Sequence, residues 1–388
     1  MKIAVKNSKN WAIAYMIFLL IVALIGPIFT SNAPLKVTID DETIYPALRL
    51  YMHDSGLRSY PSEWRTIDWK KIENGKQNLI SWDATYIDLT AINGVPPGKK
   101  GHLLGADLFG KDVAAGLIAG TRVSLLVAFI ATLFGLLLAF LLTFLTTYIG
   151  NQRIKLTLLQ ILFLSIFSCS IWFYLFVAFP QSNVSAVTTL FTAVAGISLI
   201  FWLTPKIASK KTSSSTLSIP IPMDEIGLKF YEIFQSIPKL ILLLVVIGMI
   251  QAKGTGSSLV SLGLLMGALI WPVFYRYLRL EIQREKSTDF FESLKNLGFS
   301  DLRMTLFHLF PRAFRSIIVP TIFVFSSVIL LESTLSFLGL GLSDEYVSWG
   351  KILAQARLRL DAWWLAIFPG ILIFLTLYAL NIWSKAKN

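Results

Sequence analysis

Cysteine is nearly absent: Cys169 is the single one in 388 residues, and it lies inside an apolar run. That excludes a disulfide framework within the chain. The three histidines, His53, His102 and His308, stand far apart and alone, so each reads as a polar surface residue and no metal site is expected. Charge is scarce too, with 15% charged residues against 55% hydrophobic ones. The apolar stretches hold no cluster of His, Asp or Ser, so an embedded enzyme is not expected, and neither is a cofactor. No internal repeat is present, which weakens the case for an inverted-repeat secondary carrier.

What remains is grease and basic charge. Mean hydropathy is +0.65. Runs such as IIVPTIFVFSSVILL, Ile317 to Leu331, exceed what a soluble core needs. A span of about 20 apolar residues crosses a hydrocarbon core of roughly 30 Å. The fold class is therefore all-α and polytopic in a membrane. The net charge of +12 suggests nucleic acid only on a soluble chain. Here the Lys and Arg gather in short loops beside the runs, as the positive-inside bias requires, and no nucleic-acid partner is expected.

Eight spans are predicted, near 11–29, 122–147, 156–179, 184–204, 237–251, 258–275, 316–340 and 364–383. Lys2, Lys6 and Lys9 precede the first, which reads as a retained span with a cytoplasmic N-terminus. Alternation then puts 276–315, with eight Lys or Arg, in the cytoplasm, together with the C-terminus. Trp11, Trp202, Trp271, Trp363, Trp364 and Trp383 fall near span ends, where an interfacial belt would place them. Three regions follow: an N-terminal helix over 1–30, an extracytoplasmic segment with an interfacial helix over 31–118, and a transmembrane domain over 119–388. Residues 31–100 carry nine basic and nine acidic side chains, and include Trp64, Trp69 and Trp82, which suits a small folded cap. Within the transmembrane domain, about 151–222 reads as an inserted helix pair closed by the linker SKKTSSSTLSIPIP.

GADLFGKD, Gly105 to Asp112, nearly matches the phosphate-loop pattern but ends in Asp112 where the magnesium-binding hydroxyl belongs. A carboxylate there repels phosphate, so ATP binding is not expected. DFFESLKNLGFSDLRMTLFHLFPRA, Asp289 to Ala313, is the polar exception between two greasy stretches. Ser287, Thr288 and Asp289 are N-cap candidates. Phe290, Phe291, Leu294 and Leu297 share one helical face. Gly298 suits a left-handed helix stop. Ser300 opens a second helix, with Leu302, Leu306 and Leu309 apolar, which Phe310–Pro311 is expected to end. A DNA-binding helix-turn-helix is a poor reading, because spans tether the stretch on both sides. An interfacial helix and a docking helix presenting its polar face to a soluble partner both suit the pattern.

The spacing of Glu292, Gly298 and Pro311 resembles the EAA loop of ABC importer permeases: E-A-A, three residues, Gly, nine residues, I-x-L-P. Ser293 and Leu294 stand at the alanines, and His308 and Phe310 at the Ile and Leu. LGADLFGKDVAAGLIAGTRVSL (Leu104 to Leu125) and ESTLSFLGLGLSDEYVSWGKIL (Glu332 to Leu353) resemble further segments of the dipeptide/oligopeptide/nickel permeases, of the C-permease kind, as do MDEIGLKFYEIFQSIPKLILLL (Met223 to Leu244) and Trp363 to Asn381. The resemblance covers about 104–150 and 223–383. It implies a type I importer permease with the family's six spans plus an inserted pair, in the cell (inner) membrane. It also implies a second permease, two ATP-binding subunits and an extracytoplasmic solute-binding protein as partners. The coupling residues implied are Glu292, Ser293, Leu294, Gly298, His308, Phe310 and Pro311. Di- or oligopeptides are the implied cargo, with nickel or another small solute as the alternative. Substrate-contacting residues are not implied. Arg122 and Glu332, ionisable and near span ends, are read as packing residues at the outer interface.

Overall fold

The computed structural model describes residues 2–30, 36–39, 42–48, 75–76, 82–150, 155–157, 218–220, 222–252 and 258–385. The expected spans at 156–179 (all but its first two residues) and 184–204, most of the expected outer cap and most of the Ser- and Lys-rich linker lie outside the described residues.

Helix α1 spans Lys2–Phe29. Three short strands follow: β1 (Lys36–Ile39), β2 (Glu42–Ile44) and β3 (Gly75–Lys76). They form an antiparallel sheet in the order β2-β1-β3, with Val37 opposite both Ile44 and Gly75. Helix α2 runs over Val113–Ile149. Strands β4 (Lys155–Thr157) and β5 (Ser218–Pro220) pair antiparallel. The rest is helical: α3 (Met223–Ser236), α4 (Lys239–Ala252), α5 (Leu259–Lys286), α6 (Asp289–Asn296), α7 (Asp301–Met304), α8 (Phe310–Ser316), α9 (Ile318–Phe337), α10 (Trp349–Gln355) and α11 (Trp364–Lys385). The architecture is that of a helical polytopic membrane protein. Among the described residues five helices are long and apolar enough to cross a membrane (α1, α2, α5, α9 and α11), or six if α3 and α4 form one broken span.

The chain divides into two units, 1–142 with 233–388, and 143–232. In the second, Phe144 stacks on Tyr148 at 5.7 Å, and Lys229 pairs with Glu232 at 2.8 Å on an exposed face.

Two sequence expectations change in the first unit. The predicted interfacial helix and second span are one helix, with no break near 118–122. Its 37 residues rise about 55 Å, more than the hydrocarbon core requires. Asp112 starts it by accepting the Ala115 N–H at 2.8 Å. Gly120 does not break it; a Cβ there would sit 2.9 Å from Trp349 Cδ1, so this glycine serves close packing. The predicted span at 237–251 is instead a pair broken at Ile237–Pro238. Proline has no N–H to donate and drives the residue before it out of the helical region. The 14 residues of α4 rise only about 21 Å, short of a crossing.

Helix α1 packs along α11. Trp11 stacks on Tyr15 at 5.6 Å and tilts against Tyr378 at 5.9 Å, and Tyr15 shares a hydrogen bond with Thr376 at 3.4 Å. Helices α9, α10 and α11 pack mutually, and α5 lies against α8 and α9. Trp271 and Trp364, expected at the interface, are buried in this core, while Trp11 and Trp363 are exposed as a belt would have them. The reason for Trp364 is a polar one: its indole N–H donates to the Ala106 carbonyl at 3.0 Å. Trp349 likewise donates to the Leu117 carbonyl at 3.0 Å. Each indole N–H thus finds an acceptor, which a buried tryptophan requires.

Helices α2 and α5 approach through small residues. A Cβ on Gly267 would lie 2.7 Å from the Ala131 carbonyl oxygen and 3.0 Å from Phe134 Cβ. One on Gly263 would lie 2.8 Å from Ile130 Cγ2. Glycines four apart let the two backbones close on each other, the usual device where lipid removes any hydrophobic drive to associate. Replacing Gly267 by leucine is therefore expected to lower stability by about 1–3 kcal/mol, as overpacking does. A lower melting temperature of the purified chain in detergent checks this, with Gly370→Leu as control, since a Cβ on Gly370 meets nothing within 4 Å.

Candidate functional site

The polar stretch between α5 and α9 folds as a helical hairpin. Thr288 holds the N-cap position of α6 without a side-chain cap bond, and its hydroxyl donates instead to the Glu285 carbonyl at 2.7 Å. Helix α6 stops at Gly298, whose φ is +78°. The Gly298 N–H donates to the Lys295 carbonyl at 3.0 Å, and the Phe299 N–H to the Leu294 carbonyl at 3.3 Å. This paired 5→2 and 6→1 pattern is the Schellman motif, as the glycine led one to expect.

The second helix departs from expectation. It does not end at Phe310–Pro311 but runs from α7 through a π-turn, Thr305–Leu309, into α8. The Phe310 N–H reaches back to the Thr305 carbonyl, an i→i+5 bond. Pro311 then stands at the start of α8, where its missing N–H leaves no intact ladder short of a donor. The widened turn is what lets the chain carry a proline through.

The seven predicted coupling residues divide by direction. Leu294 and Phe310 are buried, and Phe310 meets Phe140 of α2 edge-on at 4.7 Å. His308, half-buried, sits between Phe290 at 6.1 Å and Phe299 at 5.7 Å, so it joins the two arms of the hairpin. Glu292, Ser293, Gly298 and Pro311 are exposed. Glu292 makes no hydrogen bond or ion pair among the described residues. The Ser293 hydroxyl donates to the Asp289 carbonyl at 2.8 Å.

Two features were not read from the sequence. Arg312 lies 3.9 Å over the Phe290 ring and donates to Glu285 at 2.9 Å, which ties the hairpin to the end of α5. The apolar side chains of the hairpin are also not wholly turned to the bundle. Leu297 and Phe307 are exposed at 73% and 71%, and Phe290 and Leu302 at 41% and 45%. Helical periodicity assigns Leu297 to the buried face. The helix has ended before it can reach that face, because its Gly298 stop comes one residue later.

A second cluster lies in the first unit around the near-miss phosphate loop. His102, read as a surface residue, is fully buried. Its Nδ1 is 2.8 Å from Asp112 Oδ2 and its Nε2 3.4 Å from Asp88 Oδ2, while Trp82 stacks on the ring at 4.6 Å. A histidine between two carboxylates is a cross-link, and no local sequence pattern announces one when its partners lie 14 residues upstream and 10 downstream. Asp107 accepts the Phe109 and Lys111 N–H groups at 2.9 and 2.8 Å and Gln355 Nε2 at 2.8 Å. The loop is thus a closed turn in which the Phe109 and Lys111 N–H groups are spent on the Asp107 carboxylate. Glu332 is fully buried on α9, bonded by Ser124 at 3.0 Å and Ser336 at 2.8 Å. Its hydroxyl partners fit the packing reading. Arg122 is half-buried on α2.

These are the features of a helical polytopic membrane protein. Residues 214–386 match the family described as binding-protein-dependent transport system inner membrane component. The chain is 37% identical over 141 residues to the Putative peptide transport system permease protein of Brucella suis biovar 1, covering 36% of this chain and 47% of that protein. It is 28% identical over 156 residues to the di/tripeptide transport system permease protein DppC of Pseudomonas aeruginosa, 40% of this chain and 50% of that one. It is 29% identical over 160 residues to the glutathione transport system permease protein GsiD of Escherichia coli, 41% and 51% respectively. The chain spans about half the length of the curated relatives it matches. The resemblance read from the motifs therefore holds.

Two outcomes are expected. A Cβ on Gly298 meets nothing within 4 Å, so alanine there suffers only the left-handed backbone, about 1–2 kcal/mol. Faster amide hydrogen exchange over 289–299, with α9 unchanged, is the measurement. For Asp88, partial burial raises the carboxyl, but bonds from the Thr90 N–H, the Thr90 hydroxyl and His102 outweigh it and hold the group below the usual aspartate range. Its stabilisation is therefore full above that range and is lost as pH falls through the depressed folded value. An Asp88→Asn variant should show less acid destabilisation than the parent in melting curves taken from neutral pH downward.

Proposed function

We propose that this chain is the permease subunit of an ATP-driven importer of di- or oligopeptides, sharing its translocation path with a second permease. Two ATP-binding subunits dock on the 288–316 hairpin, and an extracytoplasmic solute-binding protein delivers the cargo. The observation that carries this reading is the hairpin itself. A glycine-stopped helix exposes Glu292, which makes no hydrogen bond or ion pair among the described residues, and the same hairpin leaves Leu297, Phe307, Phe290 and Leu302 uncovered. A short hairpin that exposes both an acidic residue and several large apolar side chains suits a cleft in a soluble partner better than it suits lipid headgroups. The buried anchors Leu294 and Phe310 and the Arg312 clamp make the hairpin rigid enough to pass movement between that partner and α5 and α9. Peptide cargo is supported by the names of the relatives, which include peptide, di/tripeptide and glutathione systems.

In this mechanism the chain carries out no chemistry. It is a two-state element whose equilibrium is biased by nucleotide binding on its partners. The contact surface does the coupling: Glu292 for orientation, Leu297 and Phe307 for burial, and Gly298 for the angle between the arms. Buried charge at such a contact is costly to reverse, commonly about 2–5 kcal/mol. Glu292→Arg is therefore expected to reduce recovery of ATP-binding subunits by tenfold or more, at unchanged membrane abundance of the chain. Mass spectrometry of mild-detergent purifications from native membranes measures this. Recovery of ATP-binding subunits equal to that of the parent chain would exclude the hairpin as the dock.

A further inference from the structure

The first unit contains a cavity of about 430 Å³ between the 107–116 segment and the stretch from the end of α9 through α10. Its walls include Ile87, Phe109, Leu342 and Val347, and two ammonium groups, Lys111 and Lys351, line it. The volume is that of a small-molecule site.

The charges around the cavity are unevenly satisfied. Asp107 accepts two backbone N–H groups and the Gln355 amide. Asp112 accepts the Ala115 N–H and faces His102. Both carboxylates in the wall are thus committed to protein donors. Asp344 stands at the fully exposed rim, 3.3 Å from Lys351 Nζ. Lys351 is largely enclosed and gives one further proton to the Ser343 carbonyl at 2.6 Å, which leaves its third unassigned. Lys111 makes no side-chain hydrogen bond or ion pair among the described residues. Burial holds the Lys351 ammonium below the usual lysine range; Asp344 opposes that, and Lys111 adds to it by repulsion. Two lysines thus line one partly apolar cavity, with donors to spare.

We propose that this cavity is a carboxylate-binding subsite, in which Lys111 and Lys351 together bind one monoanionic carboxylate of a small solute whose body lies against Ile87, Phe109, Leu342 and Val347. A carboxylate relieves the lysine repulsion and takes the unassigned protons in charge-assisted bonds. A doubly charged phosphate suits the space less well, because Asp107, Asp112 and Asp344 surround it. The assignment is independent of the docking hairpin: it needs no ATP-binding subunit and no particular transport direction.

The test uses the full-length chain in lipid nanodiscs and reads the lysines directly. Trace acylation of amines, quantified peptide by peptide, gives the labelling rate of Lys111 and Lys351. Dialanine is the peptide probe, acetate the free-acid probe, and dialanine amide the control that keeps the body and removes the charge. Dialanine is expected to slow labelling of both lysines about threefold at a concentration about twice its Kd, with surface Lys229 unchanged. Protection by acetate as well would mean that the anion alone is read; protection by dialanine alone would mean that the apolar wall contributes, and both support the subsite. Lys111→Met should abolish the protection of Lys351 while leaving the melting temperature unchanged. Equal protection by dialanine amide, or no protection of either lysine at any probe concentration, would overturn the proposal. Loss of ATP-binding subunits from the hairpin would leave this result untouched, so the two readings fail separately.

Discussion

In a hydrocarbon layer no water is available to take up a stray N–H or carbonyl, so every backbone group must find its partner within the protein. The helix ends and breaks at the edges of this bundle meet the same requirement, though water is available to some of them. Helix α6 ends at Gly298 with its last carbonyls taken up by the Gly298 and Phe299 N–H groups. Helix α9 ends in the same way at Gly339, φ +82°, where the Gly339 and Leu340 N–H groups return to Ser336 and Leu335. At Pro311 the chain has no N–H to give, and the π-turn before it redistributes the bonds. At Ser258 a hydroxyl caps α5, and at Asp112 a carboxylate caps α2. Where 106–117 passes the bundle, the indoles of Trp349 and Trp364 take up the Leu117 and Ala106 carbonyls.

These devices also decide which parts are rigid. The 104–117 segment is held by two indoles, by Gln355 and by the His102 cross-link, each from a different stretch of chain. The hairpin is held by Leu294, Phe310 and Arg312 but leaves its tip uncovered. A rigid base and a bare apolar tip form the combination expected of a contact that must transmit force and not merely adhere. The open tip and the closed 104–117 segment thus follow from the same rule applied in two settings.

Much of the helical plan was legible because length and hydropathy are direct readouts of the bilayer. The stop at Gly298 was legible as well, since a left-handed position has a residue signature. The path through Pro311 was not. Proline is normally read as a terminator, and the neighbouring π-turn lies beside Phe310, whose burial against Phe140 is a contact between residues distant in sequence. His102 was misread for a related reason. A buried imidazole is recognised by its partners, and Asp88 and Asp112 become neighbours only after the intervening turns close. Trp271 and Trp364 were placed at an interface on sequence position alone, whereas their core role rests on packing that no local pattern encodes. Exposure of Leu297 and Phe307, the central feature of the docking reading, emerges only where helix ends and tertiary cover are both known.

The most direct test places a photo-activated crosslinking residue at Leu297, at the bare tip of the hairpin, and irradiates native membranes. The docking account predicts an adduct with an ATP-binding subunit, one that weakens or shifts when nucleotide is trapped. An adduct with lipid alone, from a chain that remains folded in the membrane, would contradict it and return the hairpin to the status of an interfacial helix.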